Sequence, residues 1–434
     1  MPANYRKSNS NDDRAAFSRL DKWLIVIFLL RITGYFTLFP GNLGTTQVAK
    51  ILIRLGTTAI CVGLYMVWRN RFDQLKFQYR HPAALAFYGL YLLLGLASLL
   101  WTGSVYYSGL QWFMILETFV FAFISWHLYI LNKASFKSDF HFTRLLGISI
   151  GWILLWFAIQ SQMDPDLYMR TTHAGEVARL GGFIINPNEL GMLAVLACAL
   201  YYHTALEKGW NAGRLIWLVI AVVVLLLTQS RSSLAAFGLV SVLFLLKWKR
   251  HRLTIAAFIA GAFAVPWVVR TVIVKVGDVE EVLSFTGRLP FWRDLIMDAF
   301  PKEPWFGYGF MRISYTEKFE SLHAYAAGMS HNTFIQVLMN LGLVGFTIML
   351  IQMAATFKAI VATPDASRKI AAWWMLIPLL INSFTEFGIF GESNYGILFY
   401  QWVVLFFVAE CHPAQQTIAI SKPIRNQGSH AVTA

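Results

Sequence analysis

Cysteine is scarce in this chain, charge is scarce, and acidic charge is scarcer than basic. Of 434 residues, three are Cys and 14% are Asp, Glu, Lys or Arg, where a soluble domain carries roughly 25% charged residues. Cys61 and Cys198 sit in apolar runs and Cys411 ends the last one, so no disulfide framework is implied. With 57% hydrophobic residues, the low charge excludes a soluble multidomain enzyme, a disordered chain and a nucleic-acid-binding protein. No H-E-x-x-H occurs, which argues against a membrane metalloprotease. No P-loop occurs either, so ATP is not the direct energy source. Internal repeats and low-complexity tracts are absent as well.

What is present is a series of long uncharged runs. About twelve are long enough to cross a bilayer. They begin near Trp23, Thr46, Ala83, Gly109, Leu145, Asn188, Leu215, Ser233, Leu253, Asn332, Ala371 and Tyr395. They do not alternate polar and apolar residues, which excludes a barrel, and in lipid the remaining choice is helices. The expected fold class is therefore an all-α polytopic membrane protein of about twelve transmembrane helices, with one long outside loop between spans nine and ten. The corresponding division is a tail over 1–22, spans over 23–274, a loop domain over 275–330, spans over 331–410 and a tail over 411–434.

The net charge of +13 sorts by side. Arg6, Lys7, Arg14, Arg19 and Lys22 precede the first run. Alternate linkers carry Arg69 to Arg80, Lys133 to Arg144, Lys208 and Arg214, Lys247 to Arg252, and Lys358 to Lys369, whereas linkers near Gly41, Gly103 and Gly391 hold no Lys or Arg. The positive-inside rule puts both termini in the cytoplasm. The first run reads as a retained anchor, because no small-residue cleavage site follows it.

Positive charge on the other side is the anomaly. Arg231 lies in the short outside turn Thr228-Gln229-Ser230-Arg231-Ser232-Ser233, where it opposes insertion bias. A guanidinium fork suits phosphate or pyrophosphate; the alternative is an arginine reaching to outer head groups. In the long loop, Thr286-Gly287-Arg288 is followed by Trp292 and Arg293, then by Pro304-Trp305-Phe306-Gly307-Tyr308-Gly309-Phe310 and Arg312. The glycine-aromatic stretch indicates tight turns beside a rigid wall. Arg288 is either an anion contact or a salt bridge to Asp278, Glu280 or Glu281, and the same choice applies more strongly to Arg293 and Arg312. Ser330-His331-Asn332 opens a long apolar helix. His331 there is a candidate general base, with Asn332 and Gln336 lining the same cleft; alternatively, Ser330 caps the helix and His331 is a bystander. Arg179, ahead of Gly181-Gly182 and Asn186-Pro187-Asn188-Glu189, is a further phosphate candidate or a solvated charge. Asp164-Pro165-Asp166 reads as a polar helix exit rather than a metal site. Arg31, Lys50, Arg54, Glu117 and Arg270 lie inside apolar runs. Glu117 reads as a helix-pairing group, since no second buried acid accompanies it to form a proton relay.

Taken together, Thr228 to Ser232, Thr286-Gly287-Arg288 with its tryptophan, Pro304 to Phe310 and Ser330-His331-Asn332, in this order and on one side, resemble the bacterial O-antigen ligase and polymerase superfamily. The resemblance is strongest over about Leu215 to Leu350. It implies a GT-C-like glycosyltransferase of the inner membrane that works without metal ion, nucleotide or other cofactor. Such an enzyme moves a glycan from undecaprenyl pyrophosphate to an acceptor on the periplasmic face. For the ligase branch the acceptor is lipid A-core and the product is lipopolysaccharide. The resemblance makes His331 the functional histidine and Arg231, Arg288 and, less closely, Arg179 the pyrophosphate-binding arginines. Trp292, Arg312, Asn332 and Gln336 are then possible substrate contacts. Ser232 and Ser233 depart from the small residues many relatives have after the arginine. A short C-terminal tail and one dominant outside loop fit a ligase better than a polymerase or a protein O-oligosaccharyltransferase. A lipid or polysaccharide transporter is the competing class, and it would place its polar groups at the bilayer midplane.

Overall fold

The computed structural model describes residues 18–136, 139–172, 177–248, 254–255, 259, 288–310, 329–386 and 388–413. The apolar runs within them are helices: α1 (Arg19–Thr33), α2 (Leu43–Arg71), α3 (Pro82–Ala97), α4 (Val105–Phe136) and α5 (Phe142–Met163). A single turn, α6 (Pro165–Tyr168), leads on to α7 (Pro187–Lys208), α8 (Ala212–Thr228) and α9 (Arg231–Lys247). After the short α10 (Arg288–Asp294) come α11 (Thr333–Ala362), α12 (Ala366–Ser383) and α13 (Tyr395–Val408). The run expected to begin near Leu253 falls largely outside the described residues. Among the described helices, six are long and apolar enough to cross a membrane: α2, α3 with the turn that follows it, α4, α5, α7 and α11. The helices α8 and α13 are apolar but shorter. The architecture is that of a mostly helical, polytopic membrane protein.

The sequence fixes many helix starts through side chains that accept orphan backbone N–H groups. Asn42, Asn186, Asn211, Ser230, Asn332, Asp365 and Asn394 do this for α2, α7, α8, α9, α11, α12 and α13. The centre of the bundle is made by α7, buried from Leu190 to Ala205, and α13, buried along its whole length. A helix that is apolar all round must be enclosed. Accordingly α7 packs against α5, α8, α9 and α12, and α13 against α3, α4, α11 and α12.

Two antiparallel ribbons interrupt the all-helical expectation. Strand β1 (Leu75–Tyr79) pairs with β4 (Ala409–Pro413), so the segment expected to open the C-terminal tail is a strand. Strand β2 (Met169–Thr172) pairs with β3 (Val177–Leu180), setting Arg170 directly opposite Arg179.

Glu117 pins three helices together. Arg31 of α1 forks its carboxylate at 2.6 and 2.8 Å, and Arg54 of α2 donates to it at 3.1 Å. Thr58 adds a fourth hydrogen bond at 2.6 Å. Asp164, by contrast, is an exposed N-cap of α6, as a polar helix exit should be.

The glycine-aromatic stretch docks into a break in α11. Gly342 has φ 63° and ψ −163°, a region only glycine occupies readily. The break frees the carbonyls of Met339 and Asn340, which accept from the N–H groups of Tyr308 and Gly309, both at 2.9 Å. On the other side of the break, Leu343 and Val344 N–H donate to the carbonyls of Pro304 and Trp305 at 2.8 and 3.1 Å. The loop thus supplies the partners that the helix gives up, which is the condition for interrupting a helix at membrane depth.

Candidate active site at one end of the bundle

The starts of α7, α9, α10 and α11 and the end of α12 meet at one end of the bundle, and each brings a functional side chain. His331 stands just before α11. Its φ of 49° is left-handed, uncommon for a non-glycine residue and found where the surroundings over-determine the backbone. Those surroundings are visible. Asn332, not Ser330, caps α11, accepting from the N–H groups of Phe334 and Ile335 and donating its amide to the Phe384 carbonyl at 3.2 Å. The Ser330 N–H and hydroxyl both donate to Gln336 Oε1 at 3.0 Å, and Trp292 Nε1 holds the Ser330 carbonyl at 2.7 Å. Asn332, Gln336 and Trp292 therefore fix the histidine in place. Gln336 is buried, its amide NH₂ turned to Asn340.

The imidazole meets a partner that sequence reasoning missed. Nδ1 of His331 lies 2.7 Å from Oε2 of Glu386, in the segment after α12. The other carboxylate oxygen accepts from Arg288 Nη2 at 3.0 Å and from Asn188 Nδ2 at 2.8 Å. Burial pushes the Glu386 carboxyl up, but the hydrogen bond and charge of His331, the charge of Arg288 and the Asn188 amide outweigh it and hold the group at about 2. An ionised carboxylate only accepts hydrogen bonds, so Nδ1 of His331 carries the proton. Any proton transfer by the imidazole then runs through Nε2. His331 and Arg288 side chains keep 18% and 15% exposure against 5% for Glu386, so a substrate can reach the first two but not the third.

Arginines surround this pair. Arg288 also donates through Nη1 to the Thr385 carbonyl, and so braces the segment that carries Glu386. Arg179 donates to Asn188 Oδ1 at 2.6 Å and to the Thr228 carbonyl at 3.0 Å. Asn188 therefore links Arg179 to Glu386. Arg231 is the first residue of α9, directly after the Thr228-Gln229-Ser230 turn. That turn packs on α7 at Gly191, where a Cβ would meet Ser233, Ser230 and Thr228 atoms at 2.8 to 2.9 Å. Burial lowers the Arg179 guanidinium to about 10; Arg170 adds to this, Glu386 opposes it, and Arg231 and Arg288 lower it further. Two arginines directly opposite on a ribbon repel each other, and two more stand within electrostatic range. Such a cluster is poised for an anion.

The structure thus gathers His331, Arg288, Arg179 and Arg231 in one corner and sets Glu386 and Asn188 among them. Arg312 lies outside the described residues, as do Asp278, Glu280 and Glu281, the partners weighed for Arg288. Among the described residues, no group of three His, Cys, Asp or Glu side chains is placed to hold a metal ion.

No curated protein matches the chain. Residues 216–350 match the family model described as Wzy_C, O-Antigen ligase. The matched stretch holds Arg231, Arg288 and His331, while Arg179, Asn188 and Glu386 come from outside it. The chain is thus similar to that family over residues 216–350.

Proposed function

We propose that this protein is an O-antigen ligase, a GT-C-type glycosyltransferase acting at the periplasmic face of the bacterial inner membrane. It moves a glycan from undecaprenyl pyrophosphate to a sugar hydroxyl of lipid A-core. The observation that carries this reading is the meeting of an oriented histidine with a cluster of arginines at one end of a membrane bundle.

The geometry supports the following chemistry. The acceptor hydroxyl oxygen forms a bond to the anomeric carbon while the bond from that carbon to the pyrophosphate oxygen breaks. His331 Nε2 takes the hydroxyl proton, and Glu386 holds the ring and stabilises the imidazolium that forms. Charge develops on the departing pyrophosphate, and Arg179, Arg231 and Arg288 supply preorganised cations for it. The polyprenyl chain needs an apolar channel near these arginines. A groove of about 530 Å³ between α1 and α5, walled by Leu29, Leu30, Trp152 and Trp156, ends at Tyr168 and Ile184. Those two residues flank the ribbon that carries Arg179, where the Gly181 N–H donates to the Tyr168 carbonyl at 3.0 Å.

Reconstitution of the purified protein with an undecaprenyl-pyrophosphate-linked glycan and lipid A-core tests the reading. Glycan appearing on the core supports a ligase. Chain growth on the lipid carrier without transfer to the core makes the protein a polymerase, and no consumption of the donor refutes the reading.

A further inference from the structure

Two charges inside apolar helices have no part in the site described so far. Lys50 is the eighth residue of α2 and Glu189 the third of α7, both half-buried near the end of the bundle that carries His331. Among the described residues neither side chain makes a hydrogen bond or an ion pair. Each nonetheless acts on the other: Lys50 feels the charges of Glu189, Arg54 and Glu392, and Glu189 those of Glu386, Lys50 and Glu392. An ammonium and a carboxylate in electrostatic range without contact leave a gap between them. Ionisable groups inside membrane helices are costly and mark functional sites.

The groups around this gap are polar. Glu392, in the linker between α12 and α13, accepts from the Tyr107 hydroxyl at 3.1 Å. Gln111 donates to that hydroxyl at 3.4 Å and accepts from the Ser393 N–H at 3.3 Å. Tyr107, Gln111 and Glu392 are half-buried as well. The other charges in range are committed, Arg54 to Glu117 and Glu386 to His331 and Arg288. The gap lies beside the histidine, because Glu189 follows Asn188, whose amide donates to Glu386 at 2.8 Å. It also lies away from the arginines. Arg179 and Arg231 meet the start of α7 from the side of α8 and α9. Lys50, Tyr107 and Glu392 come from α2, α4 and the linker before α13, the side on which the Tyr395 hydroxyl donates to the Glu189 carbonyl.

Mixed charge selects the ligand. A phosphate there meets two carboxylates, Glu189 and Glu392, for one lysine. A metal cation meets the ammonium, and hydrocarbon leaves both charges unsolvated. A sugar hydroxyl donates to a carboxylate and accepts from an ammonium at once, and hydrogen bonds to charged groups are the stronger ones. We infer that Lys50 and Glu189 hold a sugar ring of the acceptor, with Glu392 and Gln111 beside them. The inference rests on the transferase reading above. In a direct displacement the nucleophile attacks the face of the anomeric carbon opposite the leaving group. A ring held between α2 and α7 brings its hydroxyl to His331 from the side away from the arginines that take the pyrophosphate.

The test compares the full-length wild type with Lys50→Met and Glu189→Gln. Core oligosaccharide freed of lipid is titrated into each protein, and transfer in liposomes is measured against acceptor and donor in turn. Each substitution weakens oligosaccharide binding and raises the acceptor KM about tenfold or more, the worth of a hydrogen bond to a charged group. The donor KM, the rate at saturating acceptor and the unfolding temperature stay as in the wild type, which a merely structural role would not allow. Lys50→Arg keeps the donor group and most of the binding. A wild type that transfers glycan while both variants keep its acceptor KM overturns this inference and leaves the transferase reading standing. An equal rise in donor KM assigns the gap to the donor and overturns it too. A wild type that neither consumes donor nor binds the oligosaccharide overturns both.

Discussion

Glu386→Gln tests whether the histidine is tuned or merely present. The carboxylate accepts on both sides, from His331 Nδ1 at Oε2 and from Arg288 and Asn188 at Oε1. A glutamine must turn its NH₂ to one side. Turned to His331, it donates to Nδ1, moves the ring proton to Nε2 and removes the lone pair that accepts the acceptor's proton. Turned the other way, it opposes two donors in a buried place. The first orientation removes the base; the second keeps the Nε2 lone pair but loses the charge that stabilises the imidazolium. In either case the transfer rate falls, by up to about 10²–10⁴-fold, the range for general-base contributions. Binding of the donor changes much less. The pH dependence carries its own sign. The carboxyl is depressed from its ordinary 4.5 to about 2, so its support of the site is complete above about pH 5 and is lost only as pH falls towards 2. A wild-type rate profile therefore shows no Glu386 ionisation near neutrality. The assay is transfer in liposomes, with unfolding temperature recorded alongside. A folded Glu386→Gln protein that transfers at the wild-type rate refutes the pairing.

Arg288→Lys keeps the charge but cannot reach both Thr385 and Glu386 from one ammonium; transfer falls at least about tenfold, and full activity means the fork is not needed. Gly342→Ala puts a Cβ 2.3 Å from the Trp305 carbonyl carbon and oxygen at a φ of 63°, so unfolding becomes easier by about 3 kcal/mol or more; an unchanged denaturation midpoint contradicts the loop-in-helix account. Glu117→Ala strands two buried arginines and destabilises by about 3–5 kcal/mol. A milder loss in the same denaturation measurement shows that water or lipid phosphate reaches them.

Part of this site is legible in the sequence because charge in the wrong place is costly. Arg231 in a very short turn between apolar runs and His331 at the mouth of an apolar helix stand out against their neighbours without any structure. Glu386 does not. It lies 55 residues from His331, in a linker whose lack of Lys and Arg reads only as topology. Asn188 shows the same limit: Asn-Pro-Asn reads as a helix start, and its amide bridging Arg179 to Glu386 exists only once two distant turns meet. Helices were legible because apolar run length sets them. The two ribbons were not, since strands of four or five residues give too short a pattern. Gly342 was hidden because a single glycine in an apolar helix is ordinary, and what breaks α11 is the loop that fits the gap.

The central claim is that His331 takes the acceptor's proton as the pyrophosphate leaves. Single-turnover release of undecaprenyl pyrophosphate from a bound lipid-linked glycan, with acceptor present, compares the wild type with a folded, donor-binding His331→Ala protein. The account predicts release coupled to glycan transfer in the wild type and a collapse of that step in the variant. Release and transfer by His331→Ala at the wild-type rate would contradict it.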